Sequence, residues 1–198
     1  YLASRIFDAA SAPHEMDNKA IYSSVSIGIS YYPMGLRTED VDRLDSIVKR
    51  NRPLQRGDHL FRAEEPFRNL FVVKTGAVKT FTQTNDGDEQ VVGFHLPGEV
   101  LGLDAIQDGH HGCSARALET TAICELPFER LEDLSANIPS LQHQMFRLLS
   151  KEISQEAEMM ALLGRSTAEE RVASFLLSLS DRFKRRGFSA TDFFLSMS

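Results

Sequence analysis

Two thiols, a pair of adjacent histidines and one carboxylate inside an apolar stripe are the residues with the most chemistry to offer. Cys113 closes the run His110-His111-Gly112-Cys113, whose donor types suit a divalent metal. Adjacent residues cannot supply a closed tetrahedral site and no fourth donor is spaced to complete one, so the run is read as a solvated loop. Cys124 lies in Ala122-Ile123-Cys124-Glu125-Leu126 and reads from the residues as a small buried strand residue, the commoner place for a free cysteine. Two cysteines in 198 residues build neither a disulfide framework nor a four-cysteine metal site within one chain. No nucleophile–base set, P-loop or metal motif is present, and the expectation is of a protein that is not an enzyme.

The elements that must position these residues begin with composition. Lys and Arg number 22 against 28 Asp and Glu, a net charge of −6, with 42% apolar and 25% charged residues. That balance belongs to a folded domain with a real core and excludes disorder over the whole chain. An acidic chain is also poorly suited to grip a phosphate backbone by itself. No apolar run approaches the roughly 20 residues that span a bilayer, and Tyr1-Leu2-Ala3-Ser4-Arg5 lacks the apolar region of a signal peptide. A cytoplasmic protein with no membrane partner is expected.

Residues 1–34 read as helix, turn and strand: Leu2, Ile6 and Phe7 at helical spacing, a break at Ala12-Pro13-His14, then β-branched alternation from Ile21 to Ser30. A short amphipathic helix is predicted from Thr38, as N-cap, to about Arg50, with Val41, Leu44, Ile47 and Val48 on one face. From Pro53 to about Pro127 short apolar runs alternate with turn signals at Gly57, Gly76, Asp86-Gly87, Pro97-Gly98 and Gly109. This pattern predicts an all-β roll, with Asn85-Asp86-Gly87-Asp88 as the strongest hairpin signal. After Glu129 the texture is helical: Asn137 as cap, Pro139 in the first turn, and an uninterrupted stretch to Leu163 that Gly164 stops. Ser166-Thr167-Ala168-Glu169 reads as a capping box opening a last helix.

Within the long helix Phe146, Leu149, Ile153, Glu156, Met160 and Leu163 follow spacings of 3, 4, 3, 4 and 3, the seam of a coiled coil. The alternative is a helix packed on its own roll. In a homodimer Glu156 falls near its symmetry mate, and like charges in a partly desolvated seam cost on the order of 1 kcal/mol. Glu156 is therefore expected to keep association marginal.

Several stretches resemble one family closely: Asp88-Glu89-Gln90-Val91-Val92-Gly93-Phe94-His95-Leu96-Pro97-Gly98-Glu99, Ala117-Leu118-Glu119-Thr120-Thr121, Cys124-Glu125-Leu126-Pro127-Phe128-Glu129, and Ala168-Glu169-Glu170-Arg171 with Arg186-Gly187-Phe188-Ser189. They are similar to the cyclic-AMP receptor protein (Crp/Fnr) superfamily of bacterial transcription regulators, and nearest to its fumarate-and-nitrate-reduction (FNR) type of oxygen sensor, over about residues 36–198. The resemblance implies an α+β fold: a cyclic-nucleotide-binding-like β-roll (double-stranded β-helix, or jelly-roll) followed by a long dimerisation helix. It also implies a [4Fe–4S] cluster held by three N-terminal cysteines and one in the roll. Cys124 matches the roll cysteine, but the other three places fall at Tyr22, Val25 and Tyr31, so three of four thiolates are absent. Glu64 stands where the family commonly has glycine, at a cost of roughly 1 kcal/mol if the turn needs φ > 0.

Residues 1–35, with Arg5-Ile6-Phe7-Asp8-Ala9-Ala10 and Ser24-Val25-Ser26-Ile27-Gly28-Ile29-Ser30-Tyr31-Tyr32-Pro33, resemble the C-terminal end of a GGDEF diguanylate cyclase domain without its nucleotide-binding loop. The domains expected are this arm at 1–35, a β-roll sensor at 36–134, a dimerisation helix at 135–164, and at 165–198 a linker helix and the start of a winged helix-turn-helix that the residues do not complete. The resemblance implies a homodimer that in a full-length member works with DNA and RNA polymerase. The expected function is the sensor and dimerisation region of an oxygen-responsive regulator of anaerobic gene expression, lacking its DNA-binding domain. The alternative is a roll that binds a cyclic nucleotide or another small molecule; against it, the Arg-Ser pair used for the cyclic phosphate in that branch is missing from Gly109–Ser114, with Arg116 two residues late.

Overall fold

The computed structural model describes residues 37–191 except 85, 166, 186–188 and 190, together with two short N-terminal strands. Those strands, β1 (His14–Met16) and β2 (Lys19–Ile21), form an antiparallel pair. A strand therefore begins at His14, where sequence pattern placed only a break. The helix expected around Leu2, Ile6 and Phe7, all but the first residue of the strand expected from Ile21 to Ser30, the positions Tyr22, Val25 and Tyr31, and the run Phe193–Ser198 lie outside the described residues.

Helix α1 (Thr38–Ile47) starts with Arg37, not Thr38, in the capping position, the Arg37 carbonyl accepting from the Asp40 and Val41 amides at 2.9 and 3.1 Å. It also ends three residues before the expected Arg50. Val48 turns extended, and Lys49–Arg50 become strand β3, paired with the Cys124 region. A local helical pattern thus yields to sheet pairing with residues some 75 positions away in sequence.

The roll consists of β4 (His59–Phe61), β5 (Asn69–Thr75), β6 (Val78–Gln83), β7 (Glu89–His95), β8 (Val100–Leu101), β9 (Ser114–Ala117) and β10 (Ala122–Pro127). They form two four-stranded antiparallel sheets, β3-β10-β5-β8 and β4-β9-β6-β7. The β6–β7 hairpin turns where Asp86-Gly87-Asp88 predicts, with Gly87 at φ +88° and the Thr84 amide bonded to the Asp88 carbonyl at 2.9 Å. Between the sheets sit Phe61, Phe71, Val73, Val78, Leu101, Ala115 and Ile123. On the opposite face of the first sheet Leu70, Val72, Cys124 and Leu126 are also buried. Helix α2 (Phe128–Asn137) packs against β10 and against α1, which buries Leu44, Leu131 and Leu134. Each such leucine contributes about 2 kcal/mol of burial. The continuous run Leu70-Phe71-Val72-Val73 is what a strand covered on both sides requires.

Helix α3 (Pro139–Arg165) is 27 residues long, about 40 Å. Asn137 does not cap it: it ends α2, donating its amide to the Asp133 carbonyl at 2.8 Å. Ile138 takes the extended conformation (φ −128°, ψ 91°) that a residue before proline favours, and this separates the two helices. Helix α4 (Ala168–Arg185) opens on a reciprocal cap one residue later than Ser166–Glu169. The Thr167 amide donates to Glu170 Oε2 at 2.8 Å and the Glu170 amide to Thr167 Oγ1 at 3.3 Å. Both registers satisfy the motif, and the later one is adopted.

Candidate functional site

Cys124 is fully buried, opposite Arg50 of β3 on one side and Val72 of β5 on the other. Burial raises its thiol above the ordinary value, against the smaller opposing pull of Arg50 and Lys74. The geometry is that of a packed strand residue. Among the described residues no group of three or more histidine, cysteine or carboxylate side chains could hold a metal ion. With one buried, protonated thiol and only one other cysteine in the chain, the donor set does not fit a four-thiolate cluster within these residues.

The His110–Cys113 run is not a solvated loop throughout. His110 is exposed, but His111 is only 3% exposed and Cys113 is half-buried. The Cys113 thiol is pushed up to about 11, first by burial and then by the Asp104 carboxylate it faces at 3.9 Å. Local sequence carries no sign of this, because the aromatic rings that cover His111 come from β4 and the turn after it.

A charged cluster gathers on the second sheet. Glu89, at the base of the β6–β7 hairpin, accepts from Lys79 Nζ at 2.9 Å and from Arg116 Nη2 at 2.7 Å. Arg116 lies opposite Lys79 on β6 and opposite His59 on β4, with its guanidinium 4.6 Å from the Phe81 ring centre. His59 Nε2 is 3.3 Å from both Arg62 Nη1 and Arg116 Nη2 and so acts as acceptor. Lys79 and Arg116 hold the Glu89 carboxyl below its usual range. Burial first, and the two arginines second, lower the His59 ring. Arg116, two residues late for a phosphate ligand in sequence, is committed to Glu89 in the structure. Alternation places Lys79 and Phe81 on one face of β6, a readable signal, but the pairing with Arg116 needs the sheet order.

The seam residues all lie on α3. Phe146 is 60% and Ile153 67% exposed, Leu149 is partly buried, and Glu156 is exposed. Met160 and Leu163 are on the same helix, their side chains outside the described set. At Glu64 the backbone has φ +66°, the one non-glycine positive value among the described residues.

Two antiparallel sheets rolled around an apolar core, then a long helix with an apolar stripe, define a cyclic-nucleotide-binding-type roll of the kind carried by bacterial regulators. The cyclic nucleotide-binding domain family matches residues 51–137. The transcriptional activator protein Anr of Pseudomonas aeruginosa is 52% identical over 166 residues, 84% of this chain and 68% of that protein. The fumarate and nitrate reduction regulatory protein of Escherichia coli is 47% identical over 165 residues, 83% of this chain and 66% of that protein. Among solved structures, FixK2 from Bradyrhizobium japonicum superposes with a TM-score of 0.64 at 26% identity, covering 73% of this chain and 80% of that one. The catabolite activator protein of Thermus thermophilus gives 0.57 at 26% identity, covering 80% of each chain. The chain belongs to the Crp/Fnr family of transcription regulators, with Anr and FNR proteins as high-identity relatives. No described helix is long and apolar enough to cross a membrane.

Proposed function

We propose that these residues are the sensor and dimerisation region of an FNR-type regulator of oxygen-responsive gene expression, associating through α3 into a homodimer that in a full-length family member works with DNA and RNA polymerase. The reading divides the chain into an arm at 1–35, a roll at 36–134, a dimerisation helix at 135–164 and a linker helix from 165 toward a DNA-binding domain. The observation that carries it is the identity to Anr and FNR proteins across both roll and long helix. The exposed Phe146 and Ile153, seven positions apart on α3, support association through that helix. Glu156 follows Ile153 in the same stripe and acts as the brake. Glu156→Ala is expected to tighten the dimer about fivefold in Kd, equivalent to about 1 kcal/mol. Analytical ultracentrifugation reads this directly, and an unchanged constant removes the brake.

Oxygen sensing through a resident cluster does not follow, since Cys124 is the single candidate ligand of the four that the family resemblance implies. Iron and acid-labile sulfide, assayed after anaerobic purification, are expected to fall well below one cluster per chain. A second reading, cyclic-nucleotide binding by the roll, is favoured by the family match at 51–137. It lacks an arginine in Gly109–Ser114, and Arg116 is held by Glu89. Calorimetry with cyclic AMP is accordingly expected to give no binding heat.

A further inference from the structure

The turn after β4 and the segment before β9 meet at one histidine. The His111 ring stacks on Phe61 with centres 3.8 Å apart and planes 13° apart, and Phe67 approaches edge-on at 5.9 Å. Its Nδ1 is buried without a hydrogen-bond partner. Main-chain bonds join the two segments around it. The Glu64 amide donates to the His111 carbonyl at 2.8 Å, the His111 amide to the Glu65 carbonyl at 3.0 Å, and the Phe67 amide to the Gly109 carbonyl at 2.8 Å. Three left-handed residues lie at the junction, Glu64 at φ +66°, Gly102 at φ +90° and Gly109 at φ +72°. A Cβ on Gly102 would stand 3.3 Å from the Asn69 carbonyl and 3.4 Å from His111 Cε1. Left-handed strain at a non-glycine residue persists only where its surroundings enforce it, and such residues concentrate at switch regions.

We propose that this junction is a proton-operated latch: protonation of the His111 ring releases the 102–113 segment from the Arg62–Phe67 turn and uncovers the aromatic box of Phe61, Phe67 and Phe71.

An imidazolium has two N–H donors, and in the closed latch the one at Nδ1 points at no acceptor. Burial lowers the His111 pKa from its ordinary 6.5, outweighing the Asp104 and Glu65 carboxylates that favour the charged ring. The remaining neighbours add little: Cys113 is a neutral thiol at neutral pH, Arg62 and Glu64 are exposed on the turn, and exposed His110 sits with its Nδ1 3.2 Å from the Asp108 carbonyl. In the open form the ring titrates near its ordinary value. The closed form is therefore fully stable above that pH and weakens as pH falls below it, the opening constant rising between pH ~7.5 and pH ~5.5 by at most about tenfold, the limit set by the open-form ring.

Hydrogen exchange of the whole chain tests this, with rates corrected for intrinsic pH dependence and read in peptides spanning 61–68 and 104–113. Wild type is expected to lose protection in both peptides across that range, by at most about tenfold, and His111→Phe, which keeps a ring but cannot be protonated, to lose none. His59→Gln removes a second histidine whose pKa is lowered and is expected to leave the loss in place. A flat wild-type profile overturns the latch, as does an equal loss in His111→Phe. Should His111→Phe fail to fold, the wild-type His111 Cε1–H resonance decides: a midpoint below 6.5 accompanied by the protection loss supports the latch, and a midpoint at or above 6.5 overturns it.

Discussion

At Glu64 a single residue type conflicts with its backbone. A left-handed φ of +66° costs a β-carbon-bearing residue about 1 kcal/mol, and glycine nothing. Glu64→Gly gains that relief but frees the unfolded chain by about 0.4–1 kcal/mol, so a net stabilisation of at most about 0.5 kcal/mol is expected, read as a slightly higher urea midpoint at unchanged slope. The conflict was legible in advance, because the family resemblance marked the position and the structure needed only to supply the sign of φ. Cys124 was legible as a packing residue from its own run, Ala122-Ile123-Cys124-Glu125-Leu126, and the structure buries it against Val72. Its buried, upward-shifted thiol is expected to resist an aromatic disulfide reagent in native Cys113→Ala protein and to react only on unfolding. His111 was not legible: its cover comes from Phe61 and Phe67, far away in sequence, and nothing in His110-His111-Gly112-Cys113 separates the buried histidine from the exposed one.

Among elements, the long strands could be read and the short ones could not. Strands β5, β6, β7 and β10 have six or seven residues each, enough for alternation or a continuous apolar run to show. Strands β3 and β8 have two residues each, and exist because Cys124, Glu125, Phe71 and Val72 offer them partners. The same dependence on partners governs the hairpin. Glu89 ties β7 to β6 through Lys79 and to β9 through Arg116, and the Lys79 side chain is only 10% exposed. Removing the carboxylate leaves two cations close together with no counter-charge, so Glu89→Gln is expected to destabilise the roll by about 1 kcal/mol at neutral pH. Because the folded Glu89 pKa lies below the ordinary 4.5, its contribution is complete above that value and disappears as pH falls through the lower one. The variant and wild type should therefore converge in stability below that pH, which chemical denaturation at a series of pH values will show.

For the whole molecule, charge and apolar surface act against each other. Each copy carries a net charge of −6, and the proposed seam repeats the problem locally by placing Glu156 near its mate. Exposed Phe146 and Ile153 favour association, each able to bury about 1.5–3 kcal/mol of apolar surface. In the proposed dimer, an equilibrium balanced between these terms responds to small changes. Salt separates the two contributions. Charges repelling through water are screened over about 10 Å at 0.1 M, whereas a pair partly removed from water is screened much less. Raising the ionic strength should tighten the wild-type dimer through the diffuse −6 term. Glu156→Ala should shift the whole curve of Kd against salt downward by about fivefold, leaving its slope nearly unchanged. If the variant instead abolishes the slope, Glu156 acts through the diffuse field and is not confronted in the seam. Sedimentation equilibrium of both proteins across a salt series distinguishes these outcomes.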